Sequence, residues 1–188
     1  MFTGIVQATG TIVRVAPLEV ECPALELADV AVGDSICVQG VCLTVTGITP
    51  GGFQADVSAE TRRVTAGLER SGASVNLEKS VALGERLGGH LVTGHVDGVG
   101  EVLTFAEGVL SVRAPRELAR YIARKGSICV DGVSLTVNRV ESDAFEVFLI
   151  PHTQKVTTLG RLATGSRVNL EVDLIARYVD RLLSTSAT

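Results

Sequence analysis

Hydrophobic and polar residues alternate with period two along two matching stretches of the chain. From Ser35, Ile36 and Val38 fall on one side of an extended backbone, and Ser35, Cys37 and Gln39 on the other. After Gly40 the parity reverses: Val41, Leu43 and Val45 form the apolar face, with Cys42, Thr44 and Thr46 opposite. A one-residue shift sends every side chain to the other face, so a parity reversal at a glycine predicts a hairpin turn or a bulge. The second stretch, from Ser127, carries Asp131-Gly132 at the same place. Asp-Gly between apolar runs signals a hairpin because both turn residues need positive φ. Further strands are predicted over Gln54 to Val57, Ser74 to Leu77, Glu146 to Ile150 and Arg167 to Val172.

Helical signals are few. Pro23 and Pro115 each lead a short stretch with proline at the first-turn position it tolerates, and the second, Pro115-Arg-Glu-Leu-Ala-Arg-Tyr-Ile, is the clearer helix. The strong signal comes last. After Asp173, a candidate N-cap, Leu174, Ile175, Tyr178, Val179, Leu182 and Leu183 recur at helical spacing. Many short strands, twenty glycines and one strongly helical segment predict an all-β chain with an antiparallel barrel in each half and a C-terminal α-helix.

The halves are copies. Ser35 to Val45 matches Ser127 to Val137, and the same offset pairs Pro23 with Pro115, Phe53 with Phe145, Thr61 with Thr153 and Val64 with Val156. One inserted residue later, Gly72 and Val75 to Glu78 match Gly165 and Val168 to Glu171. Thr3-Gly4-Ile5-Val6 answers Thr93-Gly94-His95-Val96. Two copies are too few for a solenoid, which leaves two small domains each with a core of its own. The expected division is 1–90, 91–173 and a helix with tail over 174–188. The first repeat has no counterpart to that helix. Two closed barrels leave its apolar stripe little to cover, so it packs on other subunits or, alternatively, lies across its own C-terminal barrel.

Composition narrows the function classes. The chain has 188 residues and a net charge of −4, with mean hydropathy +0.35. Charges interrupt every apolar stretch short of the roughly 18–20 residues that span a bilayer, so no membrane role is expected. No basic stretch followed by an apolar core opens the sequence, which points to the cytoplasm. An acidic chain without a Lys/Arg cluster is a poor nucleic-acid surface. The four cysteines form no Cys-x-x-Cys pair, so neither a thioredoxin-type site nor a zinc ribbon is expected. Cys37 and Cys129, equivalent in the repeat, read as buried packing residues.

Candidate chemistry lies where the copies differ. Cys42 stands against Ser134, Gln39 against Asp131, Glu60 against His152 and Ile5 against His95. Together these read as two versions of one pocket, one of them modified. The densest run, Gly88-Gly89-His90-Leu91-Val92-Thr93-Gly94-His95-Val96-Asp97-Gly98, joins the copies. Its glycines allow close backbone approach to a flat ligand. It lacks metal-ligand spacing and the Lys-Ser/Thr ending of a phosphate loop, so no metal is expected. The bland alternative is a tight turn between domains with solvated imidazoles.

Met1-Phe-Thr-Gly-Ile-Val6, Gly40-Val-Cys-Leu-Thr-Val45, Gly88 to Gly98, Lys125 to Val137 and Thr157-Thr-Leu-Gly160 closely resemble the riboflavin synthase alpha-chain family over nearly the whole chain. The resemblance implies two six-stranded Greek-key barrels plus a C-terminal helix, assembled as a homotrimer in which the N-terminal barrel of one subunit meets the C-terminal barrel of its neighbour. It implies dismutation of two molecules of 6,7-dimethyl-8-ribityllumazine: one gives a four-carbon unit to the other, yielding riboflavin and 5-amino-6-(D-ribitylamino)uracil without cofactor or metal. Lumazine synthase, which makes the substrate, is a further partner the family suggests.

Carried over by position, the N-terminal pocket is Gly4-Ile5-Val6, Cys42-Leu43-Thr44 and Asp56, Val57, Ser58, Ala59, Glu60 and Thr61. The C-terminal pocket is Gly94-His95-Val96, Lys125, Ser134-Leu135-Thr136 and Leu149, Ile150, Pro151, His152, Thr153 and Gln154. The Glu60/His152 difference reads as a difference in ribityl contacts. Phe2 belongs to the set, and Ser35, Cys42, His95, Thr136 and Asp173 are the catalytic candidates. His95 suits general acid–base work near neutral pH, while Cys42 or Ser35 could help a nucleophile or water add at C7 of the partner molecule. Asp173 either orients a proton shuttle or caps the helix. The rival is a lumazine- or flavin-binding protein of the same fold without turnover. The presence of His90, His95, Cys42 and Thr136 together favours the enzyme.

Overall fold

The computed structural model describes residues 1–185. Twelve strands close into two barrels. The first contains β1 (Ala8–Val15), β2 (Leu18–Glu21), β3 (Ser35–Val38), β4 (Val41–Thr49), β5 (Gly52–Ala55) and β6 (Ser74–Lys79) in ring order β1-β2-β5-β4-β3-β6. The second contains β7 (Gly98–Ala106), β8 (Val109–Arg113), β9 (Ser127–Val130), β10 (Val133–Glu141), β11 (Ala144–Phe148) and β12 (Arg167–Val172), joined in the equivalent ring. Each ring sets three hairpin-linked strands beside a fourth that returns by a longer connection, which is the Greek-key arrangement. All pairings are antiparallel, and β4 and β10 are bulged at matching places, Val45/Gly47 and Val137/Arg139. Bulges bend and twist strands enough to close so small a ring.

The alternation read from the sequence fills each barrel. Ile12, Leu18, Val20, Ile36 and Phe53 are fully buried in the first, and Leu110, Ile128, Phe145, Val147 and Leu170 in the second. The two hairpin turns form as expected, with positive φ at Gln39-Gly40 (52° and 84°) and Asp131-Gly132 (49° and 81°).

Four local expectations are corrected. The strands stop at Ala55 and Phe148, short of Val57 and Ile150, because the chain turns there into two short helices. These are α1 (Ala59–Val64), capped by Ser58, whose hydroxyl accepts from Thr61 N–H, and α2 (Pro151–Val156), with proline in its first turn. The stretch after Pro23 forms turns only, and the one after Pro115 reaches no more than a 3-10 turn at Ala119–Tyr121.

The barrels meet through the tips of the β3–β4 and β9–β10 hairpins. Phe2, Val92, Cys37 and Cys129 form a separate buried cluster there. Burial pushes both thiols well above their ordinary pKa, so they are packing residues, as expected. Beside them Asn76 N–H donates to Gln39 Oε1 (2.8 Å) and Asn76 Nδ2 to the Asp131 carbonyl (2.8 Å). In the mirror position Asn169 N–H donates to Asp131 Oδ1 (2.7 Å) and Asn169 Nδ2 to the carbonyls of Gln39 (2.8 Å) and Ala66 (2.9 Å). Satisfied buried amides of this kind fix one docking geometry in a way that apolar contact alone does not.

The final helix, α3 (Leu174–Thr185), starts at Asp173, whose carboxylate accepts from Ile175 N–H at 2.9 Å. It leans on the second barrel by its polar side: Asp180 pairs with Arg120 and accepts from the Tyr121 hydroxyl, and Arg177 pairs with Asp97. The apolar stripe therefore faces away from its own barrel, with Ile175, Tyr178, Val179 and Leu183 exposed. Among the described residues no helix is long and apolar enough to cross a membrane.

Candidate active site

The site is built on two crossings. Phe2 exchanges backbone hydrogen bonds with Val92 (2.7 and 3.1 Å), which brings the Thr3 and Thr93 segments side by side between the barrels. Each segment then leaves its own repeat. The Gly4 carbonyl accepts from Ser134 N–H of the second barrel, and the Gly94 carbonyl from Cys42 N–H of the first, both at 2.8 Å. Val6 packs on the second core and Val96 on the first. The approach is tight: a Cβ on either glycine would lie 2.6 Å from the Cβ of Ser134 or Cys42. Both glycines also have positive φ, 74° and 78°, which other residues rarely adopt.

This exchange changes how the expected residues are grouped. Gly4-Ile5-Val6 joins Ser134 and Thr136, while Gly94-His95-Val96 joins Cys42 and Thr44, so each wall combines both repeats. Ser35 lies directly across from Thr44, and Ser127 across from Thr136. Lys125 is exposed at the edge of the second wall, with its N–H bonded to the Val137 carbonyl. Not every expected side chain faces a site. Leu43, Leu135 and Leu149 point into the barrel cores, and Phe2 is fully buried between the barrels. At these positions only backbone can reach a ligand, or the residue shapes the wall from behind.

The helix-leading segments differ between the copies. Asp56, Ser58, Ala59 and Glu60 are exposed, with Val57 and Thr61 half-buried. Ser58 is engaged as the α1 cap, and both Glu60 carboxylate oxygens are held by Arg63 (2.7 Å). In the second copy Ile150, Pro151 and His152 are exposed and Thr153 is half-buried, while Gln154 Nε2 donates to the Leu149 carbonyl at 2.7 Å. Glu60 thus sits in an ion pair that His152, among the described residues, does not form.

The sharpest chemical contrast lies at Cys42 and Ser134. Ser134 Oγ is 2.7 Å from Nδ1 of His90, a buried residue with 8% of its surface exposed. Burial holds the His90 pKa below its ordinary value, against a smaller upward pull from Asp173, so the imidazole is neutral at pH 7. Its Nε2 is buried without a partner among the described residues. Among the described residues the Cys42 side chain has no such histidine contact; its neighbour His95 is exposed, with its backbone N–H on Thr93 Oγ1 (3.3 Å). Asp173 caps α3 and pulls the His90 pKa upward. The sequence marked the His90 run but did not give His90 its partner, since Ser134 lies 44 residues away. Among the described residues no three His, Cys, Asp or Glu side chains converge as metal ligands.

Comparison with known proteins agrees with this architecture. A family model described as the lumazine binding domain matches twice, over residues 3–80 and 93–173. A riboflavin synthase of Mycobacterium bovis is 49% identical, the match covering 99% of this chain and 100% of the relative. The riboflavin synthase of Bacillus subtilis is 41% identical over 97% of this chain and 90% of its own length. Among solved structures, LumP complexed with 6,7-dimethyl-8-(1'-D-ribityl) lumazine is similar at TM-score 0.80 and 27% identity, covering 92% of this chain and 99% of that one. LumP complexed with riboflavin gives 0.81 and 28% over the same shares.

Proposed function

The chain belongs to the riboflavin synthase family, with a lumazine-binding domain in each half, and we propose that it converts two molecules of 6,7-dimethyl-8-ribityllumazine into riboflavin and 5-amino-6-(D-ribitylamino)uracil. The observation that carries this reading is the pair of matched walls, one centred on Cys42 and one on Ser134 with His90. Two identical substrates that take different parts in one reaction need two pockets alike in shape and unlike in chemistry.

The chemistry asks for a proton acceptor and for help to a nucleophile. The C7 methyl of the lumazine is acidic because its carbanion delocalises through the ring system. A neutral imidazole can take that proton, with His90 acting through the Ser134 hydroxyl on one wall and His95 standing beside Cys42 on the other. Cys42 or Ser35 assists addition at C7 of the second molecule. Thr44, Thr136 and the exposed residues of the α1 and α2 leads bind the ring edges and ribityl chains, with Glu60 and His152 distinguishing the two. Holding both rings face to face makes a bimolecular step effectively unimolecular.

In this reading the working site lies between chains. The exposed α3 stripe supports assembly into a homotrimer, and four unpaired cysteines suit a reducing compartment, the cytoplasm. Removing residues 174–188 is expected to leave folded barrels that sediment as monomers with little activity. An unchanged assembly after that deletion would sink this role of the helix.

The direct test is incubation of the purified chain with the lumazine in metal-free buffer, followed by riboflavin fluorescence. One riboflavin is expected for every two lumazines consumed. Tight binding of the lumazine without turnover would place the chain with non-catalytic binding proteins instead.

A further inference from the structure

Two buried carboxylates outside the proposed chemistry govern the crossings. Glu78 on β6, 4% exposed, takes Thr3 N–H and Thr3 Oγ1 on Oε1 (both 2.7 Å) and Gly4 N–H on Oε2 (2.9 Å). Glu171 on β12, also 4% exposed, takes Thr93 N–H (2.6 Å) and Thr93 Oγ1 (2.7 Å) on Oε1 and Gly94 N–H on Oε2 (2.9 Å). Both oxygens of each carboxylate are committed to one short stretch of backbone. That stretch then spans to the opposite barrel, Gly4 to Ser134 and Gly94 to Cys42.

Given the pockets proposed above, we propose that Glu78 and Glu171 are positioning residues that act crosswise. Glu78 of the first barrel sets the pocket on the Ser134 strand of the second, and Glu171 of the second barrel sets the pocket on the Cys42 strand of the first. A carboxylate is the group for this task because it presents acceptors only, in a plane that matches two successive N–H groups and a hydroxyl. Among the described residues those N–H groups have no other hydrogen-bond partner. The glycine they fix sits against Ser134 or Cys42 with no spare room, so a shift of the segment is transmitted directly to the wall. Neither glutamate needs to touch a ligand.

The substitutions Glu78→Gln and Glu171→Gln preserve shape but turn one acceptor into a donor that faces the glycine N–H. In the full chain, riboflavin binding is followed through the backbone amide resonances of Cys42 and Ser134, one reporter for each pocket. In the parent protein both are expected to shift on titration. Glu171→Gln should weaken binding read at Cys42 by about tenfold or more, the worth of one charge-assisted hydrogen bond, and leave binding read at Ser134 near the parent value. Glu78→Gln should do the reverse. Weakening of each glutamate's own barrel pocket, equal weakening of both, or no weakening would overturn the crosswise assignment. A parent protein in which riboflavin moves neither amide would instead sink the pocket assignment on which it rests. Thr3→Val and Thr93→Val keep the backbone bonds to the carboxylates and remove the hydroxyl, with its bond to the glutamate and the longer one it accepts from Ile5 or His95 N–H (3.2 and 3.3 Å); they should show the same crossed pattern at smaller amplitude, and an uncrossed pattern there overturns the proposal even if the glutamine variants fail to fold.

Discussion

The first and second barrels share ring order, bulge positions and core, yet their equivalent residues divide into two groups. Thr3 and Thr93, Gly4 and Gly94, and Glu78 and Glu171 make the same contacts in both copies, and Asn76 and Asn169 each bond the turn of the other barrel's hairpin. Cys42 and Ser134, Gln39 and Asp131, and Glu60 and His152 occupy matched places with different chemistry. The shared group holds backbone in position; the divergent group faces the candidate site or the interface. Duplication kept the frame of the pocket and left its reactive groups to diverge.

Breaking the difference directly should have the largest effect. His90→Ala strips the second wall of its imidazole and should lower kcat about a hundredfold, the lower range for loss of an acid–base group. Riboflavin affinity should change far less. Cys42→Ser makes the first wall resemble the second and should cost about tenfold in kcat, since a thiol ionises more readily than a hydroxyl. Rapid-mixing measurements of riboflavin formation check both; equal losses would mean that the two walls are chemically interchangeable, and full activity in either variant would remove that side chain from the mechanism.

A second comparison concerns the two interface asparagines. Asn76 makes side-chain bonds to the Asp131 carbonyl and Thr158 N–H, whereas Asn169 bonds Gln39 and both the N–H and carbonyl of Ala66. Asn169→Ala should therefore destabilise the chain more than Asn76→Ala, by about 1 kcal/mol, with each loss on the order of 2–3 kcal/mol from buried groups left unpaired. Chemical denaturation of the two variants measures the gap; a reversed order would show that the shared frame is not held where the hydrogen bonds place it.

A pH-dependent effect sharpens the Gln39/Asp131 contrast. Burial pushes the Asp131 carboxyl up to about 7, partly offset by the Asn169 N–H and the Gln39 side chain. The ordinary value is 3.8, so between these limits the folded chain binds a proton that the unfolded chain does not. Stability from this group falls as pH rises through that window, by about 1.4 kcal/mol per unit, and levels off above it. Asp131→Asn keeps a residue tolerant of the left-handed turn and should flatten melting temperature between pH 5 and 7.5 relative to the parent. His90 works in the opposite sense below its ordinary 6.5, which is why the difference between variant and parent is the quantity to read. A parallel pair of curves would leave Asp131 without a role in the pH dependence.

Much of this was legible in the sequence. Parity reversal at Gly40 and the Asp131-Gly132 pair located both hairpins, because turn chemistry is local. Cys42 and Ser134 stood out because the repeat supplied an internal reference. The short helices were missed: six residues carry no measurable periodicity, and the leads Asp56 to Ser58 and Leu149-Ile150 look extended until a cap or proline turns them. The crossing was invisible for a deeper reason. Thr3 and Thr93 belong to their own repeats by sequence and are bound to their own glutamates, 75 and 78 residues away. Their destinations on Ser134 and Cys42 follow only from how the two barrels dock.

That crossing also orders events as the chain leaves the ribosome. The first barrel can close once Lys79 has emerged, and Glu78 can then hold Thr3 and Gly4 in place, but the Ser134 strand that Gly4 must meet does not yet exist. The Cys42 wall stays open until Val96 is made. The parts of the two pockets are thus completed in an interleaved sequence, and a ribosome that stalled between the copies would hold a closed barrel with neither wall finished.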